Sequence, residues 1–165
     1  MCIRDSYNEN GKHDLEFLKQ KLDDWPGIKG RDLTTQIYSI NEQNKNNQID
    51  LAENTAKVLV FDFGTKLNIV HCLERYAVEV ELISGHATYD EIIASRPHGI
   101  LLSNGPGDPA ATNNFTNKVL KKLVTNTSIP IFGICLGHQL LGLAMGANTE
   151  KMNHGHHGAN HPELD

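Results

Sequence analysis

Up to residue 54 the hydrophobic positions are sparse and weakly patterned; from Lys57 onward they become regular. "KVLVFDF" (Lys57–Phe63) is a β-branched and aromatic run of the type that fills a buried strand. "GTKLNIVHCLERYA" then spaces Leu67, Val70, Leu73 and Tyr76 at a helical period. "VEVELI" (Val78–Ile83) reads as a strand, "TYDEIIASR" (Thr88–Arg96) as a short helix and "GILLSN" (Gly99–Asn104) as a strand. "NNFTNKVLKKLVTN" (Asn113–Asn126) is an amphipathic helix. "IPIFGIC" (Ile129–Cys135) is a buried strand, and "LGHQLLGLAMG" (Leu136–Gly146) a helix. Strand and helix alternate through this whole stretch, and such alternation predicts parallel strands joined by crossover helices. The expected fold is therefore α/β, a doubly wound, mostly parallel sheet.

The region before Lys57 predicts less. "DLEFLKQKLDDW" (Asp14–Trp25) sets Leu15, Leu18 and Leu22 on one face with Phe17 beside it, a short amphipathic helix. "PGIKG" (Pro26–Gly30) breaks it. "RDLTTQIYSI" (Arg31–Ile40) suits a short helix or a strand, and "NEQNKNNQIDLAEN" (Asn41–Asn54) a linker or exposed loop.

Composition narrows the class. The 165 residues are 39% hydrophobic and 21% charged, as in a soluble globular protein. The net charge is −5 with basic residues scattered, so no stripe suits nucleic acid. No apolar run approaches the roughly 18 residues of a membrane span, and "MCIRDSYNENGKHD" has no apolar signal core. Cys2, Cys72 and Cys135 are odd in number and far apart, which fits free thiols in a reducing, cytoplasmic setting.

In a doubly wound sheet the ligand lies beyond the carboxyl ends of the strands, and two chemical features sit there. Gly133–Gly137, "GICLG", has the form Gly-x-nucleophile-x-Gly. A nucleophile on a sharp strand-to-helix turn occupies a strained backbone, and small flanking residues let strand and helix pass closely. The turn puts the Cys135 thiol at the positive end of the following helix, where N–H groups favour a thiolate. The N–H of Leu136 would face a developing oxyanion. The competing expectation is a cysteine that fills the seam between sheet and helix. The second feature, "SNGPGDP" (Ser103–Pro109), lets the backbone at Gly105 and Gly107 approach a ligand closely. It matches neither a Walker motif nor Gly-x-Gly-x-x-Gly.

Other residues carry weaker signals. Four of the nine histidines fall between Met152 and His161, in "NHGHHGANHP". They could ligate a metal, but no carboxylate is interleaved, and a hydrogen-bonded loop near the cleft is expected with no metal bound. His138 is expected to be packed and hydrogen-bonded rather than a base, and Cys72 to lie in the core.

"GICLGHQ" resembles the nucleophile motif of class I glutamine amidotransferase domains. "FDFGTKLNIVHCL" (Phe61–Leu73), "LSNGPGDP" (Leu102–Pro109) and "GHHGANHP" (Gly155–Pro162) together look like the small, glutamine-hydrolysing subunit of carbamoyl-phosphate synthetases. "PGIKGRDL" (Pro26–Leu33) looks like the end of that subunit's N-terminal domain, whereas "MCIRDS" has no counterpart. The resemblance implies residues 1–54 as a remnant of that domain plus linker, and 55–165 as the first part of an amidotransferase domain. It implies hydrolysis of glutamine to glutamate and ammonia. The ammonia passes to a large subunit that uses bicarbonate and ATP with Mg to make carbamoyl phosphate for arginine and pyrimidine synthesis. Cys135 matches the thioester-forming nucleophile, Leu136 and Gly105 the oxyanion donors, and Gly107 and Gln139 positions that hold glutamine. This chain would itself bind no cofactor.

The family's base is a histidine, oriented by a glutamate two residues later, far downstream of the cysteine. His161, Pro162 and Glu163 imitate that triplet, but by register they belong to the GHHGxNHP loop. The sequence is therefore expected to be an internal fragment, inactive as a glutaminase, with an unpaired sheet edge and exposed apolar surface. Two alternatives stay open: an amidotransferase of anthranilate or guanylate synthesis, and a non-catalytic protein that keeps the fold for interaction.

Overall fold

In the computed structural model, residues 14–41, 55–76 and 78–152 are described. Four parallel strands form one sheet: β1 (Lys57–Asp62), β2 (Glu79–Ser84), β3 (Gly99–Leu102) and β4 (Ile131–Gly133), in the order β2-β1-β3-β4. The helices are α1 (Leu15–Asp23), α2 (Thr34–Asn41), α3 (Leu67–Glu74), α4 (Tyr89–Ala94), α5 (Pro109–Asn126) and α6 (Leu136–Ala144). The chain steps outward from β1 to β2, then back across to β3 and on to β4. Right-handed crossovers then put α3 on one face of the sheet and α4 and α5 on the other.

The two inner strands carry the core. Leu59 pairs in register with Ile100, and Phe61 with Leu102. These four pack with Ile92 of α4, Leu120 and Leu123 of α5, and Leu136, Leu140 and Ala144 of α6. Val60 and Leu101, on the opposite face, are buried as well. Burial on both faces explains why β1 and β3 read as continuous apolar runs rather than alternating ones.

Local chemistry fixes the helix starts. Thr88 and Glu91 close a full capping box on α4. Asp108 caps α5 by accepting from Ala110 N at 2.9 Å, and Pro109 takes the first helical position, where no N–H is needed. The glycine–proline loop therefore ends at Asp108, and α5 begins earlier than the apolar period alone marked.

Several expectations are corrected. On α3 the half-buried residues are Ile69, Val70, Cys72, Leu73 and Glu74, while Leu67, and Tyr76 just past the helix, are exposed. Cys72 is half-buried rather than in the core. The strand at Ile129–Ile134 is not a fully buried one: β4 lies at a sheet edge among the described residues, and Phe132 is 65% exposed. The α1 helix forms, capped by Asp14 (Phe17 N to Oδ1, 3.0 Å), but buries none of its residues. Arg31–Ile40 resolves to helix α2 from Thr34. Cys2, residues 42–54 of the expected linker, the histidine-rich segment with His161, and Glu163 lie outside the described residues.

Candidate functional site: a cysteine elbow beside a glycine–proline loop

Cys135 stands between β4 and α6 with φ 54° and ψ −110°, a combination L-residues avoid. Its surroundings account for the conformation. Ile134 N donates to Leu102 O (2.9 Å), continuing the β3–β4 ladder to the residue before the cysteine. Gly137 N, two residues after it, donates to both Ile134 O (3.0 Å) and Ser103 O (3.1 Å), so α6 starts at once. The chain must reverse within one residue, and Cys135 is that residue. Its side chain is exposed.

The flanking glycines are required by contact. A Cβ on Gly133 would lie 2.5 Å from His138 N and 2.6 Å from its Cα, because α6 passes directly over β4. A Cβ on Gly137 would run into the carbonyl of Leu102. The Gly-x-Cys-x-Gly spacing is thus the footprint of a helix crossing two strand ends without clearance. A cysteine that merely filled the seam would be buried; this one is outside it.

The loop after β3 lies alongside. Gly105 packs against the turn: a Cβ there would meet the Phe63 carbonyl and come within 2.8 Å of Leu136 Cδ2. Gly105 and Leu136, two of the positions singled out in the sequence, are thereby brought together. Gly107, at φ 101°, turns the other way. A Cβ on it would lie 2.8 Å from Arg31 O and 3.0 Å from Leu33 N. Gln139 is exposed on the first turn of α6, its N–H donating to Cys135 O at 3.1 Å. His138 is also exposed, which corrects the expectation of a packed histidine: only its backbone, not its ring, faces the sheet at Gly133.

Sequence reasoning passed over the residues that hold this arrangement. Ser103 is fully buried; its Oγ accepts from Phe63 N (3.0 Å) and donates to Asn104 O (2.8 Å). Asn104 Nδ2 donates to Gly64 O (3.1 Å), and its Oδ1 accepts from Lys66 N (3.2 Å). Asp62 Oδ1 accepts from Gly64 N (2.9 Å) and Thr65 N (2.8 Å). The loops after β1 and β3 are therefore stitched together where the strand order diverges, the usual ligand crevice of such sheets. The legible signal was Asp62 before Gly64, an Asx-turn pair. Among the described residues, no group of histidine, cysteine, aspartate or glutamate side chains is arranged to hold a metal ion, and no helix is long and apolar enough to cross a membrane.

The fold is thus a parallel α/β sheet with an exposed cysteine on a strained strand–helix elbow, and the family can be stated. Residues 59–165 match the family Glutamine amidotransferase class-I, and the chain belongs to it. The chain is 42% identical, over 97% of its length, to the carbamoyl phosphate synthase small chains of Ruegeria pomeroyi and Brucella anthropi. It is 41% identical to that of Agrobacterium fabrum. It spans 41–43% of the length of these relatives. The solved structure of a GMP synthase-type protein from Thermoplasma acidophilum shares the fold, with a TM-score of 0.56 and 23% identity over 65% of this chain and 53% of that one.

Proposed function

We propose that this chain belongs to the glutamine-hydrolysing small subunit of a carbamoyl phosphate synthase, with Cys135 as its nucleophile. The observation that carries the reading is the Cys135 backbone, held at φ 54° with its thiol exposed. Strain of this kind costs on the order of 1–3 kcal/mol and persists where function requires it.

In the proposed chemistry the Cys135 sulfur attacks the carboxamide carbon of glutamine. The carbonyl oxygen becomes an oxyanion, facing the N–H groups of Leu136 and Gly105. Collapse of the tetrahedral species breaks the C–N bond, and the nitrogen leaves as ammonia after gaining a proton. A γ-glutamyl thioester remains on Cys135, and water cleaves it to glutamate and free thiol. Gly107 and Gln139 are the positions that would hold the substrate. Proton transfer needs a histidine-type base, a role the reading gives to none of the described residues. Ammonia would pass to a large-subunit partner that uses bicarbonate and ATP with Mg to form carbamoyl phosphate. That activity feeds arginine and pyrimidine synthesis in the cytoplasm. The small-chain relatives support this assignment over other amidotransferases, as do the Phe61–Leu73 and Leu102–Pro109 segments.

The test is selective labelling. A chloroketone analogue of glutamine should alkylate Cys135 in preference to Cys72 and Cys2, and free glutamine should protect it. Equal labelling of all three thiols would defeat the reading. Complementation of a strain lacking the small subunit, using the full-length gene, separates this pathway from other amidotransferases.

A further inference from the structure

The residues just before α2 grip the site's glycine–proline loop. Asp32 pairs with Gly107 in an isolated antiparallel bridge, and Asp108 N donates to Arg31 O at 2.9 Å. Two carboxylates then cross-brace the junction. Asp108 Oδ1 caps α5, while its Oδ2 accepts from Gly30 N at 2.7 Å. Asp32 Oδ1 accepts from Thr34 N (3.0 Å) and Thr34 Oγ1 (2.6 Å) at the start of α2. It also accepts from Thr112 Oγ1 (3.1 Å) in the first turn of α5. Thr34 and Thr112 are buried, at 3% and 0% exposure, so these bonds form away from bulk water. Each carboxylate orders its own helix start and reaches across to the other segment.

The mechanical consequence falls on Gly105. That residue is wedged between Phe63 and Leu136 on one side. Two residues on, Gly107 lies against Arg31 and Leu33 so closely that no Cβ fits. Pro106, between them, lies close to Gly64, and so does Ile37 of α2. The loop is thus fixed at both ends, one by the sheet and one by the Gly30–Thr34 strap, with the Gly105 N–H in the span between.

We infer that Asp32 is a positioning residue of the amidotransferase site: through the Gly107 bridge and the Thr112 hydrogen bond, it sets where the Gly105 N–H stands relative to Cys135. The inference rests on the proposed glutaminase reading, because the N–H matters only if an oxyanion develops beside it. It assigns to the segment before the sheet a part in glutamine recognition while leaving thiol chemistry untouched.

The experiment compares two reagents on the full 165-residue chain. The glutamine chloroketone needs the loop in place; iodoacetamide needs only an accessible thiol. Displacing a positioned group by about 1 Å costs up to about a hundredfold in rate. Asp32→Ala should therefore slow chloroketone labelling of Cys135 about ten- to hundredfold, with the iodoacetamide rate changed less than about twofold. Asp32→Asn keeps an Oδ1 acceptor for all three bonds and should restore most of the chloroketone rate. Thr112→Val removes one bond from a fully buried site at little change in volume. It should give a smaller loss in the same direction, and it carries the test should Asp32→Ala fail to fold. Equal slowing of both reagents in the variants would make Asp32 merely structural and overturn the inference. So would an unchanged chloroketone rate in the alanine and valine variants. A wild-type chain in which the chloroketone does not prefer Cys135 would instead overturn the glutaminase reading, and this inference with it.

Discussion

Replacing Cys135 by glycine and by alanine measures the strain at the elbow. The residue sits at φ 54° and ψ −110°, where an L-residue is crowded by its own Cβ and glycine is not. The side chain is exposed and makes no capping hydrogen bond, so truncation to alanine removes little packing. Cys135→Ala should therefore stay close to the parent in stability. Cys135→Gly should release the strain of about 1–3 kcal/mol. Against that stands the greater chain entropy glycine loses on folding, about 0.5–1 kcal/mol. The net expectation is that the glycine variant is at least as stable as the alanine variant, by up to about 2.5 kcal/mol. For a chain of this size that is a rise in Tm of up to about 10 °C. Urea titration, with midpoints compared at constant slope, gives the same difference independently of temperature. A glycine variant less stable than alanine by about 0.5–1 kcal/mol, the entropy cost alone, would show that the elbow stores no strain and remove the main support for Cys135 as a functional residue.

Two further outcomes follow from the same geometry and from the sheet's edge. Gly137→Ala drives a methyl group into the Leu102 carbonyl and should cost about 3 kcal/mol or more, or prevent soluble accumulation. Gly142→Ala on the same helix meets only Ala147 Cβ at 3.8 Å and should be neutral or stabilising by up to about 1 kcal/mol, as read by thermal melts. Lys57 donates to Glu81 Oε2 at 2.9 Å, with Glu79 Oε1 at 3.5 Å. The hydrogen bond to Glu81 is the main cause of a lysine pKa raised above its ordinary 10.5. Because the folded value is the higher one, the stabilisation is complete below 10.5 and disappears as pH climbs through the folded pKa. Both carboxylates are solvent-exposed, so the increment is under about 1 kcal/mol. Urea midpoints on either side of that window should fall further in the parent chain than in Glu81→Gln; equal falls would refute the pairing.

Much of this molecule follows from local sequence. The α/β alternation was legible because β1 and β3 are buried on both faces and must be apolar throughout, as Leu59, Val60, Ile100 and Leu101 are. The elbow was legible because Gly133 and Gly137 leave no room for a Cβ, a constraint that acts within a few residues of Cys135. The sequence could also place Gly105 and Leu136 at neighbouring strand ends, which the parallel topology then brought into contact.

Other features depend on partners distant in the chain, and no period reports them. Helix α3 turns Val70 and Leu73 inward but leaves Leu67 out, since a helix at the flank of a sheet buries only the stripe that touches it, and Tyr76 falls past the helix end. Phe132 reads as core and is exposed, because burial of a strand's second face is decided by what covers it, not by the strand. The strap from Gly30 to Thr34 fell between a helix break read at Pro26–Gly30 and a short helix or strand read from Arg31. Its carboxylate at Asp32 meets Thr112 across 80 residues of chain, a separation at which sequence carries no local trace of contact. Sequence alone determined the strand–elbow–helix and the cysteine on it. Only the tertiary structure decided which backbone groups stand around that cysteine and what holds them there.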